Sequence, residues 1–224
     1  MATPFIRPFN TATDQDAGLH VFYTTADASV SHEPARTISS YLYYCAYTHL
    51  SPSTCLVLDD GAGLAVGYII GTPDTAAFSS HWKSSFAPTL EAKLIPPPHL
   101  STEDPALETP LVKGLRKSVY EGACSMLQGV GDREVLREYP AHLHINILPE
   151  FTGKGWGGKM VGAWLEVVKE LGAQGVHLGM VRTNEGARRF YERLGFRLCE
   201  EVLDGGASGK VGRQDGAVCL VKRL

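Results

Sequence analysis

The sequence predicts an α/β (α+β) fold: a mixed central β-sheet of about six to seven strands flanked by helices, with a helical insertion between the third and fourth strands. Three observations predict it. Short apolar, strand-like runs recur from the first ten residues to the last ten. Amphipathic segments with helical spacing stand between the later runs. A proline-punctuated stretch, residues 72–138, separates the third run from the fourth. The 224 residues suit one domain with a sizeable core, and 44% hydrophobic with 20% charged residues is ordinary for a soluble globular chain.

The first strand candidate is 5–8. Asp14-Gln15-Asp16 then supplies helix-start chemistry for a segment carrying Ala17, Leu19, Val21 and Phe22. A tyrosine-rich helix is expected over 38–50, stopped by Ser51-Pro52-Ser53. Two apolar runs, 54–58 and 64–71, flank Asp59-Asp60-Gly61-Ala62-Gly63 and read as a hairpin. Within the insertion, 78–94 and 111–127 are helical pieces, and the whole is either a lid over the acceptor side of a site or a packing appendage. The run 141–148 is the clearest strand, with His142, His144 and Asn146 alternating with Leu143, Ile145 and Ile147. Met160, Val161, Trp164, Leu165, Val168 and Leu171 mark a helix that Gly172 ends. A strand at 175–181, a helix from Asn184 to Gly195, and strands at 196–203 and 217–222 close the chain. The glycine-rich 205–216 stretch between the last two reads as a loop.

Composition excludes several functions. A net charge of −3 gives no bulk attraction to nucleic acid or an anionic membrane. No window holds 18 consecutive apolar residues, and the N-terminal MATPFIRPFN has no long apolar run, so neither a spanning helix nor a signal peptide is expected. Cys45, Cys55, Cys124, Cys199 and Cys219 are dispersed without C-x-x-C spacing, which suits free thiols in a reducing, cytoplasmic or nuclear, compartment and offers no metal site.

The stretch "FTGKGWGGKM", residues 151–160, fits three phosphate-binding templates. Glycines between a strand and a helix let backbone N–H groups approach a phosphate, and the helix dipole adds to the attraction. As a P-loop the stretch lacks the Ser or Thr that holds magnesium, since Met160 stands there. As a dinucleotide fingerprint it lacks the acid near the end of the next strand. Arg182 there leaves an NADP variant open. The third template is an acyl-CoA pyrophosphate loop. Residues 184–196, NEGARRFYERLGF, follow it and resemble the N-x-x-A-x-x-F-Y-x-x-x-G-F signature of the GCN5-related N-acetyltransferase (GNAT) superfamily, at that family's separation from the loop. The resemblance covers 141–203 specifically and the first 71 residues by pattern. AHLHINILPEFTGKGWG with GYIIGTPDT upstream is also similar to the acetyltransferase-like domain found at the C-terminus of O-GlcNAcases and in stand-alone microbial relatives. Thr152 departs from the Gln or Arg that usually opens the loop.

The resemblance implies a GNAT fold, acetyl-CoA as co-substrate without a metal, and direct acetyl transfer to an amine, either a small molecule or a protein lysine, by a monomer or homodimer. The pantetheine arm would pair with backbone at Ile147 and Leu148. Thr152, Gly153, Lys154, Gly155, Trp156 and Gly157 would surround the pyrophosphate. Asn184 would contact the cofactor or cap its helix. Tyr191 would stand near the sulfur and protonate the departing thiolate, or else be a packing residue. For the base that relieves the amine of its proton, His142 and His144 are candidates on pKa grounds, and their strand resembles the paired-histidine strand of serotonin N-acetyltransferase. Asp74 and Glu150 are rivals. A catalytically inactive acyl-CoA-binding or protein-interaction domain is the alternative.

Overall fold

The computed structural model describes residues 3–122, 134–199 and 217–224. Seven strands form one mixed sheet in the order β1-β2-β3-β4-β5-β7-β6: β1 (Phe5–Pro8), β2 (Leu56–Asp59), β3 (Ala65–Thr72), β4 (Ala141–Ile147), β5 (Gly175–Val181), β6 (Arg197–Cys199) and β7 (Ala217–Arg223). β4 and β5 are the parallel pair, joined by a helix, and every other neighbouring pair is antiparallel. The expected strand at 196–203 is described to Cys199. Its remainder, the 205–216 loop, Cys124 and the end of the expected 111–127 helix lie outside the described residues.

Helix α1 (Gln15–Thr25) does not use Asp14 as a side-chain cap. Arg7 on β1 takes that carboxylate instead, through two bonds of 2.6 and 2.9 Å, and reaches Asp59 at the end of β2 at 2.8 Å. One guanidinium therefore fastens the start of α1 to the sheet edge, and it holds both acids below the usual carboxylate range against the opposing pull of burial. The tyrosine-rich helix α2 starts at Ala35, earlier than the sequence suggests. It runs as Ala35–Ser40, a π-helical turn Tyr41–Cys45, and Ala46–Leu50. The β2–β3 turn is held by carboxylates: Asp59 accepts from the N–H groups of Gly61 and Gly63, and Asp60 from those of Ala62 and Leu64.

The insertion after β3 opens with α3 (Thr75–His81), which continues through a π-helical turn, Trp82–Phe86, and a short 3-10 turn to Thr89, so the helical piece ends before Leu94. Helix α4 (Pro110–Glu121) and the short α5 (Glu134–Glu138) follow. Arg116 of α4, 1% exposed, donates to the carbonyls of Pro96, Pro97, Leu100 and Leu107 and pairs with Glu108. The proline-rich 96–108 stretch cannot satisfy its carbonyls within a helix, and one buried guanidinium satisfies four of them. Phe78, Trp82, Phe86, Ile95, Val112 and Val119 join Val21, Phe22, Ile38, Tyr44 and Tyr68 in one apolar cluster on this face of the sheet. The insertion is thus part of the core.

The other face is covered by α6 (Trp156–Glu170) and α7 (Glu185–Arg193). Met160 and Val161, then Trp164 and Val168 at three- to four-residue steps, share one face of the helix and are fully buried against Leu58, Ile69, Leu143 and Val176. The Trp164 indole donates to the carbonyl of Thr54 at 2.9 Å and lies so close to β3 that a Cβ at Gly71 would meet it at 2.5 Å. Only glycine admits that approach.

Candidate functional site

The fold leaves a notch beside β4. Its pairing with β5 lasts two residues, Ala141 with Val176 and His142 with His177, and then the strands part. On the other side β4 stays fully paired to β3, from Gly67–Ile147 to Thr72–His142, and the Leu148 N–H continues the ladder to the Val66 carbonyl. β5 in turn stays paired to β7 along its whole length. The edge of β4 from Leu143 onward therefore presents unpaired backbone groups, a ready template for an extended polar arm.

The glycine loop lies at the mouth of that notch. Pro149–Phe151 forms a 3-10 turn, and Gly153 and Gly155 follow at φ 72° and 81°. Side chains at those two positions would be strained by the backbone, although nothing stands within 4 Å of a Cβ at either. Gly155 is the N-cap of α6 and offers no side chain, so the N–H groups of the first turn of this 15-residue helix carry no side-chain cap. Lys154 and Lys159 flank the loop, with their ammonium groups 5.6 Å from the Phe151 ring and 4.3 Å from the Trp156 ring. The arrangement attracts an anion. The Thr152 hydroxyl donates to the Pro149 carbonyl at 2.8 Å and so braces the turn. Gly157 faces α7, where a Cβ would press on Phe190 at 3.2 Å. Met160, at the place where a P-loop needs its magnesium ligand, is fully buried.

Asn184 is exposed and caps α7, its side-chain oxygen accepting from the Ala187 N–H at 3.0 Å. Tyr191 is 9% exposed, set edge-on between Phe190 and Phe196 at 5.0 and 5.5 Å. No described residue bonds its hydroxyl. Burial raises its pKa to about 12, so it remains a protonated donor at neutral pH.

The two histidines of β4 have different fates. His142 is 1% exposed, and both ring nitrogens are engaged: Nε2 lies 2.8 Å from the Tyr47 hydroxyl and Nδ1 2.7 Å from the Thr75 hydroxyl. His144 is partly exposed. Its Nε2 lies 3.0 Å from the same Tyr47 hydroxyl. Burial pulls His142 well below the ordinary histidine range, with the neighbouring His177 and His144 adding to it, and lowers His144 to about 4. The ordinary imidazole value of about 6.5, on which both histidines are candidates, is therefore not the one His144 has in the fold. Asp74 caps α3 through bonds to the N–H groups of Ala76 and Ala77, and its side chain is exposed. Glu150 is exposed in the 3-10 turn. The structure thus gathers His144, Ile147, Leu148 and the loop along one strand and its exit, closes His142 off, and gives Asp74 a structural bond.

Tyr47, Thr75 and His177 complete the polar cluster and carry no motif. His177 is 2% exposed, donates from Nδ1 to the Tyr139 carbonyl at 2.6 Å, and leaves its Nε2 buried without a partner. Among the described residues no cluster of His, Cys, Asp or Glu could hold a metal, and no helix is long and apolar enough to cross a membrane. A groove of about 660 Å³ between α1 and α2, lined by Gln15, Tyr23, Tyr41, Cys45 and Phe86 among others, shares no residue with the loop or the notch.

Comparison with known proteins meets this geometry. Residues 123–196 match the Acetyltransferase (GNAT) family. A segment of 90 residues is 43% identical to N-alpha-acetyltransferase 30 of Schizosaccharomyces pombe, covering 38% of this chain and 59% of that protein. The chain therefore spans less than two thirds of that curated relative. The crystal structure of SsHAT superposes with a TM-score of 0.77 at 30% identity, over 99% of this chain and 98% of that one. A phosphinothricin acetyltransferase from Sinorhizobium meliloti, solved in complex with acetyl-CoA, shares the fold at 15% identity with a TM-score of 0.54, over 99% of this chain and 89% of that one.

Proposed function

The chain belongs to the Acetyltransferase (GNAT) family, and from that premise we propose that it is an N-acetyltransferase that moves an acetyl group from acetyl-CoA directly to an amine within a ternary complex. The observation that carries the reading is the parting of β4 from β5 immediately before a glycine loop and an uncapped helix N-terminus. The loop N–H groups from Gly153 to Gly158, with Lys154 and Lys159 beside them, would hold the pyrophosphate. The free edge of β4 up to Ile147 and Leu148 would pair with the pantetheine amides and set the thioester carbonyl against backbone N–H groups that stabilise its developing oxyanion.

His144 faces the side of the sheet built by α2 and the insertion, and Tyr191 belongs to the cluster on the other side. The amine would approach from the first side, so the insertion walls the acceptor. His144 takes the proton that the amine loses as its nitrogen bonds to the acetyl carbon. Tyr191 gives its proton to the sulfur as the carbon–sulfur bond breaks. Removing either group from such a step costs about 10²–10⁴-fold in rate.

Calorimetry with acetyl-CoA tests the binding half of the reading. The wild type binds, and Gly155→Glu, which puts a carboxylate and a strained backbone where the pyrophosphate should lie, loses at least tenfold in affinity. Equal affinity in a folded Gly155→Glu protein removes the loop from the site.

A further inference from the structure

We propose that Tyr47, backed by His142 and Thr75, is a positioning residue that fixes His144 in the tautomer protonated at Nε2 and so leaves the Nδ1 lone pair bare toward the acceptor side. This deepens the acetyl-transfer reading and rests on it for the chemistry, but not for the tautomer.

The direction of every bond in the cluster follows from one fixed end. The Thr75 hydroxyl has one hydrogen and two neighbours, the Pro140 carbonyl oxygen at 2.7 Å and His142 Nδ1 at 2.7 Å. A carbonyl only accepts, so the hydroxyl hydrogen goes to Pro140. Thr75 must then accept from His142, which places the proton of that ring on Nδ1. The bare Nε2 of His142 accepts from the Tyr47 hydroxyl at 2.8 Å. The Tyr47 oxygen, its own hydrogen spent, accepts at 3.0 Å from His144, which must carry its proton on Nε2. Reversing any one bond sets two lone pairs against each other at hydrogen-bond distance. Tyr47 is 2% exposed and His142 1%, so water cannot relieve such a conflict, and a buried polar group left unsatisfied is strongly disfavoured.

The rings are held for this role. Tyr47 stacks on Phe78 of α3 with centroids 4.7 Å apart, and it meets His142 and His144 edge-on at 5.5 and 5.0 Å. Tyr43 closes on His144 from the same helix at 5.7 Å. The titratable groups around the ring are thus Tyr43 and Tyr47 from α2 and His142 from β4, with His177 of β5 behind His142 at 5.5 Å. No described residue bonds His144 Nδ1, and among the described residues the sealed, unpartnered side-chain nitrogen is His177 Nε2 alone. Nδ1 of His144 is therefore both free and reachable. When it takes a proton, Nε2–H still donates to Tyr47, so no bond in the chain has to reverse.

Long-range 1H–15N correlation spectra of the uniformly labelled full chain at pH 7 read the tautomers directly, with neither acetyl-CoA nor amine present. The expected wild-type pattern is His144 protonated at Nε2, His142 protonated at Nδ1, and His177 protonated at Nδ1 as an internal reference. In Tyr47→Phe, which keeps the ring and its stacking, the fixed His144 pattern gives way to a mixture with at least a tenfold rise in the Nδ1–H form, while His177 does not change. His144 protonated at Nδ1 in the wild type overturns the proposal. So does an unchanged His144 in a folded Tyr47→Phe protein. If that variant does not fold, the wild-type spectrum still decides. Because the spectrum needs no turnover, failure of acetyl transfer and failure of the relay are separate results.

Discussion

Tyr191 is held as a core residue is held and yet keeps a hydroxyl that no described residue satisfies. A side chain retained only for packing at 9% exposure would do as well as phenylalanine, and a tyrosine needs a reason for its polar end. Tyr191→Phe is therefore expected to leave acetyl-CoA affinity within twofold and thermal stability nearly unchanged, while lowering kcat about 10²-fold or more. Normal turnover in that variant makes Tyr191 a packing residue. The sequence marked Tyr191 because its motif is local, and it marked His142 and His144 because they alternate along a strand. It could not rank the two histidines. The difference lies in Tyr47 and Thr75, which are 95 and 67 positions away from His142. Tyr47 is one of four tyrosines in a helix of high tyrosine content, and nothing in its spacing sets it apart from Tyr41, Tyr43 and Tyr44. Asp74 shows the reverse case. A carboxylate directly before a helical segment is a capping signal, and capping is the bond it makes.

Among the elements, β4 and β5 carry both the notch and an electrostatic liability. His142 and His177 face each other across the two residues over which the strands pair, both sealed from water. Burial lowers His177 to about 4 from 6.5, partly offset by its bond to the Tyr139 carbonyl, and holds His142 well below the ordinary histidine range as well. Both folded-state values lie below the unfolded one. The unfolded chain therefore binds protons first as pH falls, and the stability from keeping these rings neutral is complete above about 6.5 and lost progressively below it. For His177 the loss by pH 5 amounts to about 2 kcal/mol. Urea unfolding should show a clearly lower midpoint at pH 5 than at pH 7, and His177→Gln should flatten that slope. Equal midpoints at the two pH values contradict burial of neutral histidines. Asp14 and Asp59, held down by Arg7, titrate below this window and do not mimic the effect. The strand itself was plain in the sequence from its alternation. The open backbone at Ile147 and Leu148 was implied by the family resemblance alone, because the register of a parallel pair joined through a helix is set by packing far along the chain.

At the scale of the molecule, the sheet divides two kinds of work. One face is sealed by α6 and α7, whose helical spacing and glycine loop were legible as local patterns. The other is built by α1, α2 and the insertion, whose order depends on contacts that sequence proximity does not reveal. Arg116 is the example: its charge suggests a surface residue, yet it is 1% exposed and gathers four carbonyls from a proline-rich stretch that precedes it by up to 20 residues. That packing places α3 over Tyr47 and His142, and so makes the insertion a structural support of the polar cluster as well as a wall beside it. On the proposed function, these two faces meet at one notch to transfer acetyl groups. Incubating the chain with acetyl-CoA and a panel of primary amines, and following release of free thiol together with the mass of the acetylated amine, tests it most directly. The expected result is amine-dependent thiol release that falls at least tenfold in Gly155→Glu and in His144→Gln. Tight acetyl-CoA binding with no amine in a broad panel acetylated would contradict it and identify the chain as a non-catalytic acyl-CoA-binding domain.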